Sequence, residues 1–528
     1  MVHQLTTRAE GPDHAPVDGS DAAPDTTPTG SDTSHDPRTG EALGEVPCTS
    51  SAEVETVLSR AADAAPTLAV TSPAERAGWL RALADALEAP DTANRLVALA
   101  DRETALGEVR LTGELARVAA QLRFYADVAQ EGSWLRATVD HATATTRWLG
   151  RVQQPLGPVA VFGASNFPFA FGVLGNDTAS ALAAGCPVVA KAHPAHPLLS
   201  AELGRLATGA LGEAGAPAGA FGLVAGFSAG ATLVASLHTA AVAFTGSQQG
   251  GLALWQLANQ RDVPVPVFAE MGTVNPVVLT AGGAARLAQV ADGFVGSFTL
   301  GTGQFCTKPG LLLAPAGSNA AAAVGLALEA AAPRGWLLTD GIARAASAGV
   351  EELVAAGARV VAQVPMADGG WAAPATVLSV PAAALVRGSR LLEECFGPVA
   401  LVAEYADADE LRHVVGQLQG ALAASVMTAG PDDPDTAAAV SLLAPLVGRV
   451  AVDDWPTGVA WTWAQQHGGP WPATTAPWAT SVGAAALDRF TRPVAFQSVP
   501  DAALPAALRA DNPWHLPRRV DGRLEVPS

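Results

Sequence analysis

The sequence predicts an α/β fold with parallel sheets, and three observations predict it. Short Val-rich runs at 158–162, 187–190, 221–224 and 240–244 read as buried strands, and Ala-rich helical stretches near 174–184, 197–213, 229–237 and 248–260 separate them. Strands alternating with helices in this way pair in parallel, with helices covering the sheet. A second α/β series runs from Asn275 to about residue 450. Finally, 528 residues exceed what one hydrophobic core supports, so two or three domains are expected.

Taken in order, residues 1–34 are Asp, Thr, Pro, Gly and Ser with few large apolar groups, which predicts a disordered tail. Order is expected to begin at the turn-rich Asp36-Pro37-Arg38-Thr39-Gly40-Glu41. From Ser50 to about Arg136 the pattern is helical. Ser50 can cap the first helix and Glu53, three residues on, completes a capping box. Val54, Val57, Leu58, Ala61 and Ala62 follow at helical spacing. Residues 143–155 look extended and end in Pro155.

Composition removes several classes of function. A formal net charge of -19 and a pI near 4.9 argue against nucleic acid or an anionic membrane as partner. No run of 18 residues is apolar enough to span a bilayer, and the start lacks a signal-peptide pattern. Cys48, Cys186, Cys306 and Cys395 are far apart and read as free thiols in a reducing compartment, so a cytoplasmic location is expected. Of 31 basic residues only Lys191 and Lys308 are lysine, leaving 29 arginines. Where the chain keeps lysine, a compact, flexible ammonium is expected to do what guanidinium cannot.

Five segments carry chemistry. Gly301-Thr-Gly-Gln-Phe-Cys306-Thr-Lys308-Pro-Gly sets one thiol behind a Gly-rich stretch that admits close approach of a ligand. A reactive cysteine needs an electropositive, partly exposed setting to hold its thiolate; the bland alternative is a small buried hydrophobe. Val267-Phe-Ala-Glu270-Met-Gly272-Thr-Val-Asn275 flanks one acid with apolar residues, and desolvation there would raise its pKa toward that of a general base. Val159-Ala-Val-Phe-Gly163-Ala-Ser-Asn166 ends a strand in a turn whose amide can donate to an oxyanion. Phe244-Thr-Gly246-Ser247-Gln-Gln-Gly-Gly251 opens a helix with free N–H groups suited to phosphate, although it is not the GxGxxG fingerprint. Val188-Val-Ala-Lys191-Ala-His193-Pro-Ala-His196 places a lysine and two histidines at a strand end, where α/β sheets bind ligands.

In this order, with Glu394-Cys-Phe396-Gly-Pro398 as a sixth, these segments resemble the aldehyde dehydrogenase superfamily from about Asp36 to near the C-terminus. The resemblance implies a Rossmann-type cofactor domain (35–141 and 158–269), an α/β catalytic domain (270–485) and a small β oligomerisation ribbon (142–157 with 486–500), followed by a tail at 501–528. It makes Cys306 the nucleophile, Glu270 the general base and Asn166 an oxyanion donor. It assigns Lys191, His193, Gly246, Ser247, Gly251, Gly272, Glu394 and Phe396 to cofactor binding, and no metal. The family's usual N-terminal strand is expected to be missing, replaced by the acidic tail.

Relatives that prefer NAD carry an acid three positions beyond the lysine, where this chain has Pro194; NADP is therefore the expected cofactor, with NAD the alternative. Lys191-Ala-His193-Pro-Ala-His196-Pro, Pro456-Thr-Gly-Val459 and His467-Gly-Gly-Pro470 resemble the NADP-dependent α-ketoglutarate semialdehyde dehydrogenase branch. Trp461, Trp463 and Trp478 depart from it and favour a fatty or aromatic aldehyde if they face the substrate tunnel. Asp453-Asp454 replaces an expected Asn-Gly and puts the local loop geometry in question. A homodimer or homotetramer is expected, and a catalytically inactive binding homologue is the reading from another class.

Overall fold

A computed structural model describes residues 30–527. The first strand–helix series closes as an all-parallel five-stranded sheet. Its spatial order is Phe221–Val224, Val188–Lys191, Val159–Phe162, Ala241–Gly246, Val267–Met271. In chain order this reads 3-2-1-4-5, the doubly wound arrangement whose crevice opens beyond the carboxyl ends of the strands. Three of these strands end in Lys191, Gly246 and the Glu270–Met271 pair, so the topology alone gathers their motifs on one edge.

The second series forms a seven-stranded sheet in the order Arg359–Val364, Ala375–Ser379, Val399–Tyr405, Leu311–Pro315, Pro276–Leu279, Ala421–Met427, Val447–Val452. Only the edge pair Arg359–Val364 with Ala375–Ser379 is antiparallel. The inner strands are mainly apolar and almost wholly buried, as a sheet covered on both faces requires. Ser50 and Glu53 form the capping box of the helix Ser51–Val70, and Val54, Leu58 and Ala61 face the core.

Two expectations about the ends are corrected. Most of the expected 1–34 tail lies outside the described residues, but Ser31–His35 is a strand paired antiparallel with Ala42–Pro47, so an N-terminal strand is present. Its pattern is polar because it is only half-buried and is tied down by side chains. Ser34 donates to Glu103 Oε1 at 2.6 Å, and the same buried carboxylate accepts from the Leu198 and Leu199 amides that open the helix Pro197–Glu213. At the other end, 501–528 is not a plain tail. Arg518–Val520 pairs with Thr138–Asp140 and with Arg523–Glu525, and Leu504, Leu508 and Leu516 are buried. These strands extend the antiparallel pair of Leu149–Pro155 with Thr491–Gln497 into a five-stranded sheet.

Below the crevice lies a buried ion pair, Arg489 with Asp177, 2.8 Å apart and with side chains 2% and 7% exposed. The same guanidinium donates to Ser180 Oγ. Removing one partner of such a pair leaves an uncompensated buried charge. Arg489→Leu should therefore lower the unfolding free energy by about 3–5 kcal/mol at pH 8, read from denaturant midpoints. Burial raises the pKa of Asp177 against the pull of Arg489, so the loss should shrink on acidification as the stranded carboxyl takes a proton. A pH-independent loss below about 1 kcal/mol would contradict this role.

Candidate active site

The segment that carries Cys306 is shaped by backbone that ordinary residues avoid. Gly301, Thr302 and Gly303 all have positive φ (56°, 61° and 69°), which is costly for the β-branched Thr302. A Cβ at Gly303 would sit 2.2 Å from the Gly397 carbonyl, so only glycine lets this loop close on the Glu394–Pro398 segment. Lys308 pins the far side: its buried ammonium donates to the Cys395 and Val399 carbonyls, both at 2.8 Å. Asn275, also at positive φ, donates through Nδ2 to the Cys306 and Lys308 carbonyls at 2.8 and 3.1 Å. Cys306 is thus held from several sides, and the residue as a whole is part-buried.

Asn166 is anchored to the loop that carries Cys306. Its Nδ2 donates one hydrogen to the Gln304 carbonyl at 2.7 Å, and a primary amide carries a second. Arg110 supports it by donating to the Asn166 carbonyl at 2.7 Å while lying 5.1 Å from the ring centres of both Phe167 and Phe305.

Glu270 lies on Val267–Met271, and the segment 467–482 is stitched across this strand. Met271 N–H donates to the Ala473 carbonyl, Thr475 N–H to the Ala269 carbonyl, and Ala269 N–H to Thr475 Oγ1. This stitching brings His467, which is 1% exposed, between the other two groups. His467 Nε2 is 3.7 Å from Cys306 Sγ and 2.9 Å from Glu270 Oε1, and Ser481 donates to the other carboxylate oxygen.

The electrostatics correct two expectations. The setting of Cys306 is not electropositive: burial, followed by the nearby Glu270 and Glu394 carboxylates, pushes its thiol well above the ordinary range. The resting group is a thiol that needs a base. Glu270 is not raised either. Burial pushes it up, but His467, Ser481 and Arg489 together outweigh burial and hold it below the ordinary carboxylate value. Flanking apolar residues could not reveal partners that arrive from about 200 residues away.

The expected cofactor groups meet along the same edge. Gly272 faces Glu394 so closely that a Cβ there would lie 2.0 Å from Glu394 Oε2. Glu394 Oε1 is buried without a partner, as is fitting for a group that awaits a ligand hydroxyl. Phe396 is half-buried beside it. Ser247 caps the helix Gln248–Asn259 by accepting from Gly250 N–H, and Gly246 and Gly251 sit too near Phe244 and Met271 to bear side chains. Lys191 ends its strand half-buried. Burial lowers its pKa, while Asp32 of the N-terminal strand raises it. His193 is neutral, since burial holds its pKa well down; its Nδ1 accepts from Ala195 N–H, which leaves Nε2–H to donate. The positive charge in this corner is therefore that of Lys191, with Asp32 opposing it. These residues fit a dinucleotide.

The three added tryptophans part company. Trp461 donates to Asn176 Oδ1 at 2.8 Å and joins Phe167, Phe171, Val459 and Val482 in an apolar cluster beside His467. Trp463 leans on Phe124 and is 56% exposed, and Trp478 is 83% exposed. Asp453 takes the left-handed conformation that the replaced Asn-Gly would have supplied, fixed by Thr428 and Arg286. Sequence reasoning names His467 only within a branch motif and does not single out Asn275 or Ser481; their roles depend on which strands pair.

A thiol, a primary amide and a carboxylate beyond the strand ends of a doubly wound sheet are the groups expected of an aldehyde-oxidising class of enzyme. The chain belongs to the aldehyde dehydrogenase family, whose model matches residues 26–470. It is 44% identical over 485 residues to α-ketoglutaric semialdehyde dehydrogenase 2 of Azospirillum brasilense, covering 90% of this chain and 92% of the relative. It is 37% identical over 465 residues to α-ketoglutaric semialdehyde dehydrogenase of Acinetobacter baylyi, covering 86% and 88%. The same fold is found in an NADP-dependent enzyme of Escherichia coli (TM-score 0.76, 22% identity, 89% of this chain and 94% of that one). It recurs in methylmalonate-semialdehyde dehydrogenase of Oceanimonas doudoroffii (TM-score 0.76, 21%, 90% and 96%). Among the described residues no helix is long and apolar enough to cross a membrane.

Burial raises Glu394 from 4.5 to about 7, against the pull of Lys308 and Arg390. A carboxyl raised on folding stabilises the fold below its unfolded pKa, and that contribution is lost as pH rises through the folded value. Glu394→Gln should therefore gain thermal stability relative to the parent between pH 4.5 and pH 8. A melting-temperature difference that stays flat across that range would contradict the assignment.

Proposed function

We propose that the enzyme oxidises α-ketoglutaric semialdehyde to the dicarboxylate with NADP, through a thioester on Cys306. The observation that carries the mechanism is the single imidazole standing between the Cys306 thiol and the Glu270 carboxylate. The substrate class is supported by 44% identity to an α-ketoglutaric semialdehyde dehydrogenase over nearly the whole of both chains.

The thiol of Cys306 gives its proton to His467 Nε2, and the adjacent Glu270 carboxylate balances the imidazolium that results. The sulfur bonds to the aldehyde carbon. The carbonyl oxygen, now an anion, is held by the free hydrogen of Asn166 Nδ2, a donor whose loss typically costs about 10²–10³ in rate. When bound, the nicotinamide ring supplies the acceptor that oxidises this adduct. Gly272, Glu394 and Phe396 would hold it beside Cys306, and Ser247 with the open helix N-terminus would hold its phosphates. The carbonyl then re-forms as a thioester. Glu270, kept ionised, takes a proton from water; the hydroxide so formed attacks the thioester and frees the carboxylate, His467 returns its proton to the departing Cys306 thiolate, and Glu270 releases its proton to solvent.

Preference for NADP is supported by Pro194 in place of an acid, with the Lys191 ammonium and the His193 Nε2–H left as donors for a 2′-phosphate. Asp32 works against it by its charge near Lys191. A second reading, an apolar or aromatic aldehyde, is favoured by one observation: Trp461 and the three phenylalanines Phe167, Phe171 and Phe305 cluster around the site. Self-association through the antiparallel pair at 149–155 and 491–497 as a homodimer or homotetramer, and a cytoplasmic location, belong to the same proposal.

Initial rates over α-ketoglutaric semialdehyde, hexanal and benzaldehyde, each with NADP and NAD, should give the highest kcat/KM for the semialdehyde with NADP. A higher value for benzaldehyde or hexanal would transfer the proposal to the second reading, and no turnover of any aldehyde would end both. Glu270→Gln should yield a burst of reduced cofactor without steady turnover, because deacylation then lacks its carboxylate. Steady turnover at the parental rate would remove Glu270 from the mechanism.

A further inference from the structure

We propose that Cys306, His467 and Glu270 also form a binding site for one divalent cation of the zinc class, and that its occupancy switches the enzyme off reversibly. The binding stands on geometry alone; only the inhibition rests on the catalytic reading above.

Three chemically different donors converge here. A sulfur, an imidazole nitrogen and a carboxylate oxygen all lie within 4.8 Å of one another, and among the described residues this is the one group of three such donors so close. Two edges of the triangle are 3.7 Å (Sγ to Nε2) and 2.9 Å (Nε2 to Oε1). Around a tetrahedral zinc ion, with bonds of about 2.3 Å to sulfur and about 2.0–2.2 Å to nitrogen and oxygen, neighbouring ligand atoms stand roughly 3.3–3.6 Å apart. The observed edges lie within a few tenths of an ångström of that range, a shift that side-chain torsions supply.

Three further features favour an ion. His467 and Glu270 are each under 5% exposed, so both donors are already stripped of most water and held in place. Glu270 Oε1, the oxygen nearest the ring, has no well-aligned hydrogen-bond donor. Three protein ligands leave a fourth position for water, the pattern of an open rather than a closed site.

The chemistry balances without a redox step. The ion binds the sulfur, Nε2 and Oε1; the thiol releases one proton to solvent, and nothing is oxidised or reduced. A thiolate–imidazole–carboxylate set selects zinc or cobalt over magnesium or calcium, which prefer all-oxygen ligands. Inhibition follows because the ion occupies the sulfur, the imidazole nitrogen and the carboxylate oxygen that the reaction uses. It should be complete rather than partial, and a chelator should reverse it.

Chelator-stripped enzyme titrated with Co²⁺ under anaerobic conditions tests the site. The expected result is one Co²⁺ per chain, with a sulfur-to-cobalt charge-transfer band and tetrahedral visible bands, all displaced by Zn²⁺. The charge-transfer band should vanish in Cys306→Ser, and affinity should fall at least about tenfold in His467→Gln. The unmutated chain offers a second test that needs no variant to fold: Zn²⁺ should protect Cys306 from iodoacetamide, and Mg²⁺ should not. Absence of the band, a band that survives Cys306→Ser, or equal protection by Mg²⁺ would overturn the site. Aldehyde turnover that continues in the Zn²⁺-loaded enzyme would overturn the inhibition. The cobalt spectrum is read without any substrate, so an enzyme inactive on every aldehyde would still show whether the metal binds.

Discussion

The active site depends on one tertiary contact: the crossing of the segment 467–482 over the strand Val267–Met271. Backbone bonds between Met271 and Ala473 and between Thr475 and Ala269 fix this crossing. They place an imidazole from the far end of the chain between a thiol and a carboxylate that otherwise belong to separate elements. Ser481 from the same segment holds the outer oxygen of Glu270, and Arg489 with Asp177 lies beneath it. Without the crossing, Glu270 would lose the His467 and Ser481 contacts that hold its pKa down, and Cys306 would lose its imidazole neighbour.

Desolvation sets the division of charge. The pocket pushes the Cys306 thiol up and would push Glu270 up as well, yet only the carboxylate has partners enough to resist. The pocket therefore favours an ionised Glu270 and a protonated Cys306. On the proposed mechanism, that arrangement keeps the nucleophile unreactive until a proton can move, and it supplies the charge that steadies His467 when it does. The strained backbone from Gly301 to Gly303 serves the same end, because the left-handed turn is what lets the thiol loop close against the Gly397 carbonyl.

The parallel sheets are legible in the sequence because buried parallel strands are continuous apolar runs and their helices are bounded by clear caps, as at Ser50 and Glu53. Cys306, Glu270 and Asn166 are legible because each ends a strand or follows a glycine-rich turn within a short motif. His467 is not, since its only local signal is a Gly-Gly-Pro turn and its meaning comes from a strand about 200 residues earlier. The direction of the Glu270 pKa is hidden for the same reason: local neighbours report burial, while the partners that decide the sign are remote. Ser31–His35 escapes notice because a half-buried strand held by Glu103 carries no hydrophobic alternation. The tryptophans show the converse limit. Their shared composition suggests one role, yet Trp461 lies in the aromatic cluster while Trp478 faces solvent.

Whether His467 takes the proton from Cys306 is read most directly from the pH dependence of iodoacetamide alkylation at Cys306. The enzyme free of cofactor and metal is compared with His467→Gln. Alkylation should be slower by about 10²-fold in the variant near pH 7, the contribution typical of a positioned base. The two rates should converge at alkaline pH, where the thiolate forms unaided. Equal rates across the whole pH range would show that the imidazole does not serve as the base.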